Sequence, residues 1–208
     1  MDRLFADFTA VDHAPLNPAN PVDTGWNVAV RHLADKTCPR GWDEFPTFAE
    51  APTTLADLTA YAHKHGRLGI ATEDSDGTIF DCADTNVHLR AWHDSVHFRY
   101  QLAFNVAGEA AAVYVQAAQV YRVYGVNERS IKWVQLLLAD ILGLVLHNKM
   151  TGKYPKNKRA GTVNAAPRWR SVAENIGLAM TVLFAEGKGS NHELIALDMA
   201  KADWGSPL

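Results

Sequence analysis

The chain has 208 residues, 48% of them hydrophobic and 21% charged, with a formal net charge of −3. That length can bury one sizeable core and predicts a single domain over residues 1–208, while the charge excludes a global polycation for nucleic acid. Cys38 and Cys82 are too few for a disulfide framework and too far apart for a CxxC zinc knuckle, which predicts free thiols in a reducing compartment.

The opening MDRLFADFTAVDH has acids where a signal peptide carries bases. The longest apolar stretch, 136–146, is broken by Asp140 and is short for a bilayer span. Both features predict a cytoplasmic protein without membrane contact. Residues 1–50 hold five prolines among scattered aromatics. Prolines this dense prevent long helices, and aromatics argue against disorder, so an irregular arm wrapping the domain is expected, with a short helix near 27–35.

A helix is predicted over 53–65, capped by Thr54 with Asp57 three residues on and stopped by Gly66. RLGIA and TIFD flank TEDSDG, which predicts a β-hairpin at about 67–81. The Asp/Gly turn lacks the carboxylates that an EF-hand needs at its first and last positions. From residue 84 the pattern is helical, with helices predicted near 84–101, 107–124, 129–149, 168–187 and 190–203, and Asn127 or Ser130 as a cap. The fold class is therefore mainly α: a helical bundle with one β-hairpin and a Pro/aromatic-rich N-terminal arm.

Polar groups on apolar helices carry the functional signal, since burying them is costly unless they are paired or ligating. His93 and His97 are four apart, Glu109 and Gln116 seven apart, and Asp140 and His147 again seven apart. Each pair thus falls on one helix face. Imidazoles at i and i+4 can converge on one ion, and carboxylates of neighbouring helices can complete its shell. The reading is a divalent metal site (zinc, manganese or iron) with His93, His97, Glu109 and Asp140 as ligands and Gln116 and His147 behind them. Asp94 and Glu109 are candidate catalytic acids. The competing reading is a metal-free hydrogen-bond network among the same groups.

Two resemblances rest on these residues. His93-Asp94, with Asp140 46 residues beyond the aspartate, resembles the ligand order of HD-domain metal-dependent phosphohydrolases, with His63, His65 or His88 as the first histidine. HDSVH, residues 93–97, resembles the HExxH motif of zincin metallopeptidases, which implies zinc on both histidines, Asp94 polarising water and Glu109 as third ligand. The block AWHDSVHFRYQLAFNVAGEAAAVYVQ is also similar to uncharacterised bacteriophage proteins, implying a host-cytoplasmic location if the chain is phage-encoded.

Between Lys149 and Arg170 seven basic residues stand without an acid. Lys153, Lys156, Lys158 and Arg159, joined by Arg90 and Arg99, are candidate phosphate contacts, since clustered Lys/Arg suits phosphate; the alternative is a solvated basic loop. Only Tyr154 and Trp169 interleave, which favours a small phosphorylated ligand or nucleotide over extended nucleic acid. The expected function is metal-dependent hydrolysis of a phosphoester in a nucleotide or nucleic-acid end. The alternatives are a zincin-like metallopeptidase or amidohydrolase, and a non-catalytic phage-type binding or inhibitory protein.

Overall fold

The computed structural model describes residues 22–185. The helix expected at 190–203 and the start of the N-terminal arm lie outside the described residues. These residues are mainly helical and fall into two compact units that divide between Gly108 and Glu109.

The first unit opens with a longer helix than the arm was expected to hold. α1 (Thr24–Thr37) is capped by Asp23, whose carboxylate accepts from the Trp26 amide at 3.0 Å. It lies between Pro21 and Pro39, so the prolines bound it rather than break it. Its apolar stripe of Trp26, Val30, Leu33 and Ala34 is buried, and Trp26 meets Trp92 edge-on at 6.2 Å. β1 (Trp42–Phe45) and α2 (Leu55–His65) come next. The α2 boundaries are those the sequence signals predict. The Thr54 hydroxyl accepts from the Asp57 amide, and Gly66 ends the helix at φ 71°, a conformation costly for a residue with a Cβ.

The two-stranded sheet departs from the expected hairpin. β2 (Leu68–Ala71) pairs with β1, in parallel, from Trp42 opposite Leu68 to Phe45 opposite Ala71. A parallel pair requires a crossover, and α2 is that crossover. Residues 78–81 form no strand. The chain turns away after Ala71 through Asp74 at φ 57° and Gly77 at φ 68°. Arg90 donates to the carbonyls of Ala71 (2.8 Å) and Glu73 (2.6 Å), so a side chain occupies acceptors that a returning strand would use. The unit closes with α3 (Ala83–Tyr100), which packs along α1 and against β2.

α4 (Val106–Tyr124) begins in the first unit and continues into the second. α5 (Glu128–Leu138) starts with a reciprocal capping box: Asn127 accepts from the Ser130 amide while the Ser130 hydroxyl accepts from the Asn127 amide. Both candidate caps are thus used. A π-helical turn (Ala139–Gly143) leads into α6 (Leu144–Thr151). The 24 residues Glu128–Thr151 are long and apolar enough to cross a bilayer, further than the expected 136–146, yet 72% of the apolar window is buried inside the protein, as in a core helix. α7 (Lys158–Ala165), capped by Asn157, lies where a basic loop was one expectation. A 3-10 turn (Ala166–Trp169) joins it to α8 (Arg170–Ala185), where the Tyr121 hydroxyl donates to the Ala173 carbonyl at 2.7 Å.

Candidate metal centre at the junction of α3 and α4

His93 and His97 stand one turn apart on α3, and the i, i+4 spacing brings their rings edge-to-face at 4.5 Å between centroids. Their Nε2 atoms are 3.0 Å apart. Glu109 enters from the first turns of α4, and the ligand atoms of His93, His97 and Glu109 all lie within 4.8 Å of one another. Among the described residues this is the group of histidine, cysteine and acidic side chains that can converge on one ion. His97 is fully buried and Glu109 is 9% exposed, so any charge here must be met inside the protein.

The orientation of His97 is built into the end of its helix. Gln101 adopts the left-handed conformation at φ 53°, so the Leu102 amide returns to the His97 carbonyl at 2.9 Å and the Gln101 amide to Phe98 at 3.4 Å. This is a Schellman-type cap made without glycine, at a cost of about 1–2 kcal/mol. The same turn brings the Leu102 carbonyl to 2.8 Å from His97 Nδ1. A carbonyl only accepts, so Nδ1 carries the hydrogen and Nε2 presents its lone pair. Backbone carbonyls orient metal-binding histidines in this way. Phe104 stacks on the ring at 4.4 Å and holds its plane.

Glu109 is placed by the start of α4. Asn105 caps it, its side chain accepting from the Gly108 amide at 3.0 Å. A Cβ on Gly108 would sit 1.9 Å from the Ala103 carbonyl oxygen, so this close approach admits glycine alone. The residue before Glu109 is thereby wedged against the chain that leads out of α3.

Two tetrahedral ligands at zinc–nitrogen distances of about 2.0–2.1 Å sit ~3.3 Å apart. The imidazole nitrogens are a few tenths of an ångström closer than that, a gap that a small side-chain rotation closes. The same 3.0 Å suits an N–H···N hydrogen bond from His93 to His97, so the pair fits either an ion or a proton. Two imidazoles and a carboxylate form the three-ligand set of catalytic zinc, which keeps a position open for water.

The other predicted site residues lie elsewhere in their surroundings. Asp140 is not a member of the converging group. It sits in the π turn and accepts from the Thr162 hydroxyl of α7 at 3.0 Å. The face shared by Asp140 and His147 in the sequence is lost because a π turn holds an extra residue, which rotates the residues beyond it by about 100°. His147 Nδ1 instead lies 3.1 Å from the Lys153 carbonyl, closing the end of α6. Gln116 is fully buried on α4. Asp94 is half-buried and also outside it; its charge helps to raise the Cys38 thiol, which burial above all pushes up to about 12. Arg90 donates to the carbonyls of Ala71, Glu73 and Asp74 and lies over Phe48. Lys153 and Lys156 are exposed before α7, Lys158 and Arg159 open that helix, and Lys158 lies 5.8 Å from the Tyr154 ring. Arg170 pairs with Glu128 of α5 and with Glu174 one turn further along α8, so the acid-free stretch of sequence is neutralised at that end.

Comparison with protein-family models, with curated proteins and with solved structures returns no match. The site therefore rests on its geometry alone. Sequence reasoning reached both histidines and Glu109 but missed Leu102, Gln101 and Gly108. The first acts through a backbone carbonyl, which every residue has. The glycine within four residues of an Asn cap was the available signal.

Proposed function

We propose that this chain is a metal-dependent hydrolase that holds one divalent ion on His93, His97 and Glu109. The observation that carries this reading is the convergence of the three ligand atoms within 4.8 Å, with His97 already oriented from behind by a backbone carbonyl. A bound ion would lower the pKa of a water molecule toward 7 and polarise a carbonyl or phosphoryl oxygen. The protein contributes a fixed Nε2 on His97, a carboxylate on a wedged backbone, and Asp94 beside His93 as the acid nearest in sequence to take a proton. With HDSVH and Glu109 as the ligand-bearing segments, this arrangement supports zincin-like hydrolysis of an amide or ester first. Phosphoester hydrolysis is the second reading, supported by the basic residues 149–159; it loses Asp140 as the last ligand of the HD pattern.

Elemental analysis after zinc loading and dialysis tests the metal. The expected result is one zinc per chain in the wild type and none in the His93→Ala, His97→Ala double variant, with helical circular dichroism unchanged. A wild type that takes up no zinc would overturn the proposal in favour of the hydrogen-bonded pair. Fluorogenic peptide and p-nitrophenyl phosphate, each with and without chelator, then separate the two substrate classes.

A further inference from the structure

Within the first unit, a cleft of about 310 Å³ lies at the C-terminal ends of α1, α2 and α3. Its apolar wall is the outer side of a core cluster: Cys38 and Leu68 belong to that cluster, and Phe98 packs against it. His63 meets the Phe98 ring edge-on at 6.0 Å. The polar groups of the lining are turned toward the protein itself. The Thr37 hydroxyl donates to the Ala34 carbonyl at 3.2 Å, and the Ser95 hydroxyl to the Trp92 carbonyl at 2.6 Å. The Cys38 thiol donates to the Ala91 carbonyl at 3.5 Å, and the Gln101 side-chain amide to the Phe98 carbonyl at 2.6 Å. Arg67 is held by Asp43, Nε to Oδ1 at 2.9 Å, and Arg40 and Arg99 have interactions of their own.

We infer that this cleft binds a neutral aromatic molecule of the size of indole, with its ring against Phe98 and Leu68. The engaged hydroxyls, thiol and amide leave water in the cleft few donors to accept from, and water held that loosely is displaced by an apolar group with a gain in affinity. Phe98 and His63 already meet as rings, and a third ring adds aromatic contact beyond the area it buries. An apolar cavity of about 150 Å³ holds one benzene, so twice that volume has room for a bicyclic ring. Charge of either sign is disfavoured. An anion would have to draw Arg67 from Asp43 and would face three helix C-termini, each carrying roughly half a negative charge. A cation would meet the guanidinium groups of Arg40, Arg67 and Arg99. The site is separate from the metal centre. Ser95 and Arg99 line the cleft and stand two residues beyond His93 and His97, about 200° around α3. Binding of the ring here therefore does not depend on the metal.

The test uses the full chain in chelator, with indole as the probe. Calorimetric titration is expected to show one saturable indole site per chain. Indole-3-acetate and tryptamine, which add a charge of either sign, are expected to bind about tenfold more weakly. Affinity for indole should fall in Phe98→Leu, which keeps an apolar side chain but removes the ring, and stay unchanged in the His93→Ala, His97→Ala variant. A second measurement needs no variant to fold: nuclear Overhauser contacts in the wild type should join indole protons to the Phe98 ring and the Leu68 methyls. No saturable indole binding, equal or tighter binding of either charged analogue, or contacts confined to other residues would overturn the inference.

Discussion

At Gly108 there is no room for a methyl group, because the Ala103 carbonyl oxygen occupies the place at 1.9 Å. The obstacle is backbone, which cannot swing aside as a side chain would. Gly108→Ala is expected to lower stability by about 1–3 kcal/mol, the usual range for overpacking. It should also weaken zinc binding, since any relief of the clash displaces Glu109, the next residue. Chemical denaturation and zinc titration of the same variant check both; lost stability with unaltered zinc affinity would separate the wedge from the ligand. This residue also shows how far the sequence speaks. The histidine pair was legible because helical spacing alone brings 93 and 97 together, and Glu109 because it interrupts an apolar helix. The reason for Gly108 was not, because the oxygen that excludes its Cβ arrives through a turn whose left-handed residue is Gln101, and no residue-type preference marks glutamine for that role.

Among the elements, those with local signals were the ones the sequence specified. α2 is bounded by Thr54 and Gly66, and α5 by the Asn127–Ser130 box, all within a few residues of the helices they define. The strand pairing was not local: β2 finds its partner 26 positions back, in Trp42–Phe45, across a helix. The π turn escaped notice because an inserted residue leaves no mark in composition; Asp140, on that turn, accepts from Thr162 of α7 and is not in the converging group. Asp140→Asn is accordingly expected to leave zinc stoichiometry unchanged. It should cost about 1–3 kcal/mol, with and without chelator, as the charge-assisted bond from Thr162 is weakened. Melts in both media, with elemental analysis, decide this. A loss of zinc would restore Asp140 to the metal.

For the molecule as a whole, acid is the condition that separates the carboxylate contacts from the rest. Asp81 has its carboxyl held below the usual range, first by the Thr85 hydroxyl, which donates at 2.6 Å, and in smaller part by Arg31. Arg31 of α1 also reaches Thr85 and pairs with Asp84, so this cluster fastens α1 to the start of α3. A carboxylate with a lowered folded pKa stabilises above its unfolded value, about 3.9, and loses that contribution as pH falls through the folded value. Thr85→Val should therefore be most destabilising relative to wild type near neutral pH, with the gap narrowing below about pH 4. Urea titrations at a series of pH values measure it; a gap that stays constant down to pH 2 would remove Asp81 from the account.

The carbonyl of Leu102 makes the two imidazoles chemically unequal. His97 has its Nδ1 hydrogen committed to the backbone. If the two Nε2 atoms, 3.0 Å apart, share a hydrogen bond, His93 is then its donor. Loading a metal would then be an exchange in which one ring keeps its form and the other shifts its hydrogen from Nε2 to Nδ1, which frees Nε2 for the ion. Nitrogen-15 spectra of the two rings should show it: the His97 pattern of protonation persists on adding zinc, while that of His93 inverts.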